Sequence, residues 1–418
     1  MTDETGRHDA LTLSDGVPAV AAGNIDGDVN VNGDGDVNGD GDDSGAQGHS
    51  NPSPASEPTD HGSDQRDVLV AVENAAAIVT LNRPRQLHAL SSSMRAEIAA
   101  AIPAFPRDPE IYGLIMRSSG GKAFCAGGDL REMVALADAD PAAARKAFAD
   151  EYRLNWSLEC FSKPTLSLMD GMVMGSGAGL TLYGTHRIAG EGYQFAMPEA
   201  AIGLFPDVGV ASVLSRLPGS MGMYLGLTGA RVNRADAFAL GLVTHCIEAR
   251  HFDAITAEIS DADPVDPLLD GRHRDPGQGP LQQLAAVIEQ CFGARSVEDI
   301  IERLQQLRGA HEPWARKTIA ELSAMCPLSL KITFRLIGAA ETMDLRQTLQ
   351  FDYRLACRCL DDGEFREGVR AALIDKDGKP QWRHKALSDV SEDMVDRYFL
   401  PLTESELDLL PREKMQAM

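Results

Sequence analysis

The chain has 418 residues, 44% of them hydrophobic, and a formal net charge of −23 at pH 7. This length and composition suffice for a packed core, in one large domain with additions or in two domains. Residues 1–66 hold 14 acidic and 2 basic residues and contribute about half of the net charge. An acidic chain without a basic patch repels phosphate backbones, so no nucleic-acid partner is expected.

Cysteine usage and the N-terminal sequence indicate the compartment. The seven cysteines are scattered and include no C-x-x-C pair, which favours neither a disulfide framework nor a zinc site. The first residues are acidic and lack both a secretory signal and an Arg-rich presequence, so a cytoplasmic location is expected. No apolar run reaches the ~18 residues of a membrane span, and no membrane partner is expected.

The acidic segment 1–66 is rich in Gly, Asp and Asn. Residues 34–39 fit the first half of an EF-hand loop, but the twelfth position of that loop is Gly45, where a bidentate Glu is needed. Such a composition cannot bury enough apolar area to offset the entropy of the chain. We therefore predict a disordered tail without a calcium site.

Beyond residue 66 strand-like and helix-like segments alternate. In chain order, VLVAVEN and AAIVTLNRP predict a strand pair around Asn74, and GLIMRSS and PTLSLMDG predict two further strands. Helical periodicity follows Asp129 and covers 141–160 and 210–240. This alternation predicts an α/β fold with helices packed on a sheet.

The C-terminal third has a different pattern. Residues 281–360 are almost entirely helical in periodicity, so a helical C-terminal module is predicted at 281–418. Residues 256–280, rich in Asp, Pro and Gly, predict a variable loop or linker. The core domain is then expected to cover 67–255.

Two glycine-rich turns each follow a predicted strand: KAFCAGGDL at 122–130 and GMVMGSGAGL at 171–180. Glycine lets a carbonyl oxygen come within hydrogen-bond distance of the backbone. The N–H groups of Gly128 and Ser176 are therefore candidates for the two donors of an oxyanion hole. For either turn alone, close packing is the alternative interpretation.

Two carboxylates lie in the apolar segment FAMPEAAIGLFPDVG at 195–209, namely Glu199 and Asp207. A carboxylate in apolar surroundings is costly unless it has a function, so both are candidate catalytic residues. A cap or ion pair is the alternative for Glu199. A helix N-cap is the alternative for Asp207.

The segments at 123–129, 170–180 and 195–209 together resemble the crotonase superfamily, and within it the 3-hydroxyisobutyryl-CoA hydrolases. Further similar segments, among them LNRPRQLHAL at 81–90 and FREGVRAALIDKDGKPQW at 365–382, extend the resemblance from about 67 to 400. The resemblance implies a crotonase-like ββα superhelix, or spiral, that binds acyl-CoA, followed by the helical module. It also implies that Gly128 and Ser176 furnish the oxyanion hole for the thioester.

The resemblance implies roles for three acidic residues. Glu199 would be the catalytic carboxylate, Asp207 the second acidic group, and Glu151 a residue lying against the substrate. Whether Glu199 attacks the thioester or activates a water molecule stays open. For Glu151, a surface position on a helix is the alternative.

Other positions concern coenzyme A and the acyl group. Arg83 and Arg85 are candidates to meet the phosphates of CoA, although exposed arginines are also ordinary surface residues. His88, at the place of a common asparagine, is expected to pack rather than to catalyse. Ser176 stands where the family more often has glycine, and its side chain would narrow the pocket.

Gly179 discriminates among the reactions of the superfamily. Related hydratases place a second glutamate at this position, and water addition to an enoyl double bond uses two carboxylates. The glycine therefore favours hydrolysis of a short branched 3-hydroxyacyl-CoA, with 3-hydroxyisobutyryl-CoA of valine degradation as the expected substrate. An enoyl-CoA isomerase or hydratase on the same fold, and a non-catalytic binding subunit, are the alternatives.

The expected partner is an acyl-CoA molecule. Coenzyme A is part of that substrate, and the resemblance implies no separate cofactor and no metal. Superfamily relatives often form trimers, so a homo-oligomer is a further expectation. The alternative is that the extended helical C-terminus covers the site within one chain.

Overall fold

The computed structural model describes residues 66–403 and 406–417. The predicted tail through residue 65, including the partial calcium loop, lies outside these residues. The described part has ten β-strands: β1 (Val68–Glu73), β2 (Ala76–Leu81), β3 (Gly113–Ser118), β4 (Ala123–Cys125), β5 (Thr165–Met169), β6 (Met172–Met174), β7 (His186–Ala189), β8 (Gln194–Ala196), β9 (Val232–Asn233) and β10 (His245–Cys246).

The helices fill most of the remaining described chain. They are α1 (Ser92–Ala101), α2 (Leu130–Ala139), α3 (Pro141–Glu159), α4 (Ser176–Thr181), α5 (Ala211–Leu214), α6 (Met221–Thr228), α7 (Arg234–Ala239), α8 (Phe252–Ser260), α9 (Val265–Asp270), α10 (Pro280–Phe292), α11 (Val297–Gln306), α12 (Glu312–Ala324), α13 (Pro327–Ala340), α14 (Leu345–Asp362), α15 (Glu364–Val369), α16 (Glu392–Phe399) and α17 (Arg412–Ala417). Short 3-10 segments include Pro84–Gln86 and Glu199–Ile202, and Arg370–Ile374 forms a π-helical turn.

The strands form two sheets. The larger has the order β1-β2-β3-β5-β7-β10, in which only the β1–β2 pair of the described strands is antiparallel. The smaller has the order β4-β6-β8-β9, with parallel β4–β6 and β6–β8 pairs and an antiparallel β8–β9 pair. Parallel neighbours need a crossover, and each crossover here except the one from β2 to β3 contains a strand of the other sheet.

The chain repeats one unit three times. A strand of the larger sheet (β3, β5 or β7) is followed at once by a strand of the smaller sheet (β4, β6 or β8) and then by a helical segment. Each repeat adds one strand to both sheets, so the chain advances as a spiral. The predicted ββα superhelix and the predicted strand pair around Asn74 are confirmed.

The larger sheet is buried on both faces, as is usual for parallel sheets. On β2, Ala77 and Val79 face the main core, whereas Ile78 faces a second core. That second core is closed by helices α8 and α9, whose buried residues include Ile259 and Leu269. Alternation of side chains along each strand thus supplies two separate hydrophobic layers.

The prediction of a loop or linker at 256–280 is wrong for its first half. Helix α8 continues to Ser260, and α9 spans Val265–Asp270. The apolar residues among the Asp and Pro of this segment are buried against the larger sheet, and this packing overrides the low helix propensity of the composition. Residues 210–240 are also less continuous than predicted, because three short helices and strand β9 occupy them.

The C-terminal helices share the core of the spiral. Leu336 of α13 and Leu349 of α14 belong to the same hydrophobic cluster as Val79 and Phe195 of the sheets, and α14 packs along α3. The predicted helical module is present, and it closes the back of the core. Among the described helices none alone is long and apolar enough to cross a membrane; only Gly309–Ala324 with Pro327–Ala340, bent by 108°, meets those criteria as a pair.

Candidate active site

The smaller sheet gathers the sequence-predicted residues at one edge. Strands β4, β6 and β8 are parallel neighbours, and Gly128, Ser176 and Glu199 each follow the carboxyl end of one of them. Carboxyl ends of parallel strands meet at the same edge of a sheet, where α/β proteins commonly bind ligands. Each ββα repeat adds one parallel strand to the smaller sheet. Residues about 70 positions apart in the sequence therefore converge at its edge.

A cleft at this edge has a volume of about 590 Å³, which includes open solvent at its mouth. The sequence-predicted residues Gly128, Glu151, Ser176, Glu199 and Asp207 all line it. Its remaining wall is largely apolar, with contributions from Leu130, Met133, Phe148, Met174, Ile202 and Leu204. A mostly apolar cleft with a few convergent polar groups is typical of a small-molecule site.

Glu199 begins the 3-10 helix that follows strand β8, and it is buried, with 6% of its surface exposed. Its Oε2 atom has no hydrogen-bond partner among the described residues. Burial, and secondarily the charge of Asp207, raise the pKa of Glu199 well above its usual value. A buried carboxyl that lacks a partner and lines a cleft is characteristic of a reactive group.

Gly175 explains how Glu199 reaches the second glycine turn. Its backbone has φ 47° and ψ −120°, a conformation that side chains rarely permit. A Cβ atom at this position would lie 3.0 Å from Oε1 of Glu199. Glycine thus allows the carboxyl to lie directly against the turn that carries Ser176.

The backbone N–H groups of Gly128 and Ser176 are both available. Leu90 pairs with the Gly128 region through Gly127 O and Asp129 N, each at 2.8 Å, so the N–H of Gly128 faces away from Leu90. Ser176 is the first residue of α4, where helical N–H groups have no partner within the helix. Neither N–H donates in any hydrogen bond recorded among residues 66–403 and 406–417.

Asp207 is held by a tyrosine. The hydroxyl of Tyr152, on α3, donates to Oδ2 of Asp207 at 2.9 Å, and both residues are buried. Burial and then the charge of Glu151 raise the pKa of Asp207 to about 7. This carboxyl therefore titrates in the neutral range, where a group can exchange a proton during a reaction.

Glu151 is buried, so the surface alternative is wrong. Its Oε2 atom forms an ion pair with Nη1 of Arg95 at 3.2 Å, and both side chains are 5% exposed. Nη1 of Arg95 also donates to the Leu90 carbonyl at 3.2 Å. Oε1 of Glu151 has no hydrogen-bond partner among the described residues, although the residue lines the cleft.

Comparison with protein families agrees with this architecture. A family model described as "Enoyl-CoA hydratase/isomerase" matches residues 76–399, more than three quarters of the chain. This chain belongs to the enoyl-CoA hydratase/isomerase family. The family comprises the crotonase-like proteins that the sequence segments resemble.

Several curated members of the enoyl-CoA hydratase/isomerase family are similar over most of their length. "3-hydroxyisobutyryl-CoA hydrolase, mitochondrial" of Xenopus tropicalis is 39% identical, covering 84% of this chain and 93% of the relative. "3-hydroxyisobutyryl-CoA hydrolase 1" of Arabidopsis thaliana is 38% identical, covering 85% of this chain and 97% of the relative.

Solved structures of the family share the fold. An enoyl-CoA hydratase from Rhodobacter sphaeroides is 36% identical, with a TM-score of 0.78 over 82% of this chain and 100% of that one. A carnitinyl-CoA dehydratase from Mycobacterium thermoresistibile is 35% identical, with a TM-score of 0.77 over 82% of this chain and 99% of that one.

The residues predicted near the CoA-binding turn have structural partners. Nη1 of Arg83 donates to the Ala89 carbonyl at 3.0 Å and to Asp129 at 2.9 Å, so its guanidinium braces the first glycine turn. These bonds argue against Arg83 as a phosphate ligand. Arg85 is exposed, and its role toward CoA stays a prediction.

His88 packs, as expected. It is 1% exposed, its Nδ1 accepts from the backbone N–H of Arg83 at 3.0 Å, and its Nε2 lies 2.8 Å from the Gly120 carbonyl. The first contact requires Nε2 to carry the proton, and burial lowers the pKa of the imidazole. His88 therefore joins two loops as a neutral side chain.

Sequence reasoning missed the residues that hold the site from behind. These are Arg95 on α1, Tyr152 on α3 and Asp352 on α14, none of which follows a glycine turn. For Tyr152 a signal existed, since it lies in the family-like segment EYRLN at 151–155. The helical pattern of α1 and α14 contains no comparable signal for Arg95 and Asp352.

The structure explains why position 179 carries glycine. A Cβ atom on Gly179 would lie 2.6 Å from Nδ2 of Asn155 and 2.9 Å from Cβ of Val208. The space that a second glutamate would need is therefore filled by α3 and by the segment after Asp207. The arrangement that a hydratase uses at this position does not fit here.

We expect Gly179→Ala to lower the free energy of unfolding by about 1–3 kcal/mol, because a core without space must shift to accept a methyl group. Urea denaturation measures this as a lower midpoint with an unchanged slope. Gly338→Ala is the matched control, since that helical glycine is exposed and nothing lies within 4 Å of an added Cβ. Equal stability of Gly179→Ala and Gly338→Ala would contradict the steric explanation.

Proposed function

We propose that this chain hydrolyses the thioester of a short branched 3-hydroxyacyl-CoA, converting 3-hydroxyisobutyryl-CoA and water to 3-hydroxyisobutyrate and CoA. The observation that carries the proposal is the buried carboxyl of Glu199 against the Ser176 turn, whose Oε2 atom has no hydrogen-bond partner among the described residues. Position 179, in the helix after that turn, has no room for a second glutamate. The hydrolase names of the curated relatives support the same reaction and, with it, a step of valine degradation.

The thioester carbonyl oxygen would accept hydrogen bonds from the N–H groups of Gly128 and Ser176. Such donors stabilise the negative charge that develops on the oxygen when the carbonyl carbon is attacked. They cost no reorganisation, because neither N–H group has a partner within the part of the chain that the structure describes. The C–S bond then breaks, and the sulfur leaves as the thiol of CoA after taking up a proton.

Glu199 supplies the attack in one of two ways. As a nucleophile it forms a mixed anhydride with the acyl group, which water then hydrolyses. As a general base it takes a proton from the attacking water molecule. Asp207, with a pKa near neutrality, orients this water or the substrate hydroxyl and can exchange a proton with it.

The two alternative functions have less support. An enoyl-CoA hydratase that uses a second glutamate at position 179 would need space that Asn155 and Val208 occupy. A non-catalytic binding subunit would be expected to have lost its acidic residues. Here Glu151, Glu199 and Asp207 are all present in the cleft.

The proposal is tested by incubating the purified full chain with 3-hydroxyisobutyryl-CoA and, separately, with crotonyl-CoA. Release of free thiol from the first substrate, followed with a thiol-reactive dye, is the expected result. Loss of enoyl absorbance from crotonyl-CoA without thiol release would assign the hydratase instead. No reaction with either substrate would favour the binding subunit.

The two roles of Glu199 differ in one intermediate. Rapid acid quenching during turnover, followed by mass spectrometry of the peptide that contains Glu199, detects an acyl group attached to the carboxyl. An acylated peptide in the wild type, absent from Glu199→Gln, assigns the nucleophile. An unmodified peptide during steady turnover assigns the general base.

We expect kcat/KM of the wild type to fall as the pH drops through about 7, because Asp207, with a pKa of about 7, becomes protonated there. A protonated carboxyl can neither attack nor accept a proton. The charge of Asp207 raises the pKa of Glu199, so Asp207→Asn should lower that pKa. The acid limb of the profile is then expected to move toward lower pH, with a reduced kcat.

Asp236→Asn is the control for this pH experiment. Asp236 is also buried, and it accepts hydrogen bonds from the backbone N–H groups of Leu281 and Gln282, away from the cleft. Its substitution is expected to leave the pH profile in place. An acid limb that does not move in Asp207→Asn would contradict the coupling of the two site carboxyls.

The compartment and the assembly belong to the proposal as well. A cytoplasmic location stays a prediction, and the vertebrate relatives that are named mitochondrial supply the competing one. Subcellular fractionation distinguishes the two. A homo-oligomer likewise stays a prediction, which analytical ultracentrifugation tests.

A further inference from the structure

The turn that carries Asp207 has a strained backbone. Val208 has φ 53° and Gly209 has φ 79°. A positive φ is rare for a β-branched residue such as valine and persists only where the surroundings impose it. The orientation of Asp207 therefore depends on whatever holds residues 208 and 209 in place.

Three buried or half-buried polar side chains from separate elements hold this turn. Tyr152 donates to the Asp207 carboxylate at 2.9 Å, and the Tyr183 hydroxyl donates to the Val208 carbonyl at 2.5 Å. The third is Asp352 of α14, whose Oδ2 accepts from the N–H of Gly209 at 2.6 Å. Each residue of the turn thus has a hydrogen bond with one of these three side chains.

Asp352 is the unexpected member. It is 0% exposed, it does not line the cleft, and its Oδ1 has no hydrogen-bond partner among the described residues. Leu345 and Leu349 of the same helix close over Gly209, since a Cβ there would lie 2.3 Å and 3.2 Å from their methyl carbons. A third leucine would suit this apolar contact, whereas a buried carboxyl is costly unless its hydrogen bond is needed.

We propose that Asp352 is a positioning residue for Asp207: its carboxyl fixes the N–H of Gly209, keeps Val208 in the left-handed conformation and so aims the Asp207 carboxyl into the cleft. This inference rests on the proposed hydrolase function. Helix α14, which lies behind the cleft, then contributes to the rate of hydrolysis without contacting the substrate. Burial and the nearby Asp207 raise the pKa of Asp352, which agrees with an uncharged carboxyl whose task is to accept one hydrogen bond.

The substitution that tests this role is Asp352→Leu, which removes the acceptor and leaves the Gly209 N–H unpaired. We expect kcat for thiol release to fall by about 10- to 100-fold, because a displacement of about 1 Å at a reacting group has effects of that size. KM is expected to change by less than about threefold, since Asp352 does not reach the substrate. Asp352→Asn keeps an acceptor oxygen and is expected to restore most of kcat.

Two comparisons separate positioning from general loss of stability. Thr348→Val removes another fully buried polar group of α14, whose hydroxyl donates to the Asp344 carbonyl at 2.9 Å and, among the described residues, forms no hydrogen bond with the turn. It is expected to lower the denaturation midpoint without lowering kcat. Tyr183→Phe releases the same turn as Asp352→Leu, so the two changes should combine non-additively in kcat.

Hydrogen–deuterium exchange of a peptide covering 205–213 supplies a readout independent of activity. Faster exchange in Asp352→Leu, reversed in Asp352→Asn, together with the kcat pattern above, supports the proposal. Unchanged exchange and kcat in Asp352→Leu, or a failure of Asp352→Asn to restore them, would overturn it. If the wild type releases no thiol, the hydrolase function fails, and the exchange pattern alone decides whether Asp352 holds the turn.

Discussion

Glu199→Gln is expected to lower kcat for release of CoA thiol by about 10³-fold, within the range for loss of a group that transfers a proton or attacks in the transition state. Glutamine has the same shape as glutamate and fits against Gly175, where the carboxyl now lies. It cannot ionise, so it can neither form an anhydride nor take a proton from water. KM is expected to change little, because most substrate contacts come from the rest of the cleft.

The burial of Glu199 adds a second expectation for this variant. The carboxyl has an unpartnered oxygen and a raised pKa, so its ionised form is destabilised in the fold. An amide at this position avoids that cost, and the unfolding midpoint of Glu199→Gln at pH 8 is expected to equal or exceed that of the wild type. Lost activity with retained stability is the pattern of a functional residue.

Glu191→Gln is the matched control. Glu191 is an exposed glutamate in the turn after β7, and its carboxylate accepts from the backbone N–H of Ala249 at 2.8 Å, away from the cleft. It is expected to keep the wild-type kcat. If Glu199→Gln retained more than about a tenth of the wild-type kcat, another group would have to supply the attack.

Arg95→Met is expected to lower the free energy of unfolding by about 3–5 kcal/mol, the usual result of removing one partner from a buried ion pair. Both side chains of the Arg95–Glu151 pair are 5% exposed, so little of the remaining carboxylate can be hydrated. The carbonyl of Leu90 also loses a donor. Urea denaturation with an unchanged slope is the measurement.

Two variants distinguish this buried ion pair from a solvent-exposed one. Arg117 pairs with Asp253 at 3.1 Å, but their side chains are 30% and 90% exposed, so Arg117→Met is expected to cost less than about 1 kcal/mol. The double substitution Arg95→Met with Glu151→Leu removes both charges and should recover most of the lost stability. The hydrolase activity of the double variant is nevertheless expected to be lower than that of the wild type, because it lacks Glu151, which lines the cleft.

An Arg95→Met variant as stable as the wild type would contradict a stabilising role of the ion pair. A double variant with full activity would show that the pair serves stability alone. Together the variants separate the contribution of the pair to folding from its contribution to the reaction.

Much of the local structure follows from the order of residues. The strand pair around Asn74, the helices after Asp129 and over 141–159, and the two glycine turns all have patterns of neighbouring residues that predict them. The acids Glu199 and Asp207 lie in one short apolar segment, so their proximity to each other is local as well. Resemblance to a family extended these patterns to the ββα spiral, which the structure confirms.

Local sequence patterns did not predict the residues that support the site. Tyr152 contacts Asp207 across 55 positions, and Asp352 contacts Gly209 across 143 positions. A buried arginine such as Arg95 looks like a surface residue in a helical pattern, because periodicity cannot tell which face meets another element. The error at 256–280 has the same origin, since burial against the larger sheet stabilises helix α9.

The sequence by itself therefore determined which residues are the candidates for the reacting groups, because glycine turns and acids among apolar residues are properties of short segments. Tertiary structure alone decided how those groups are held. The alternation of strands between two sheets places three turns at one sheet edge, and helices α1, α3 and α14 supply the charges and hydrogen bonds behind them. Those contacts join segments that are distant in the sequence. They form only when the whole core packs, and no single segment specifies that packing.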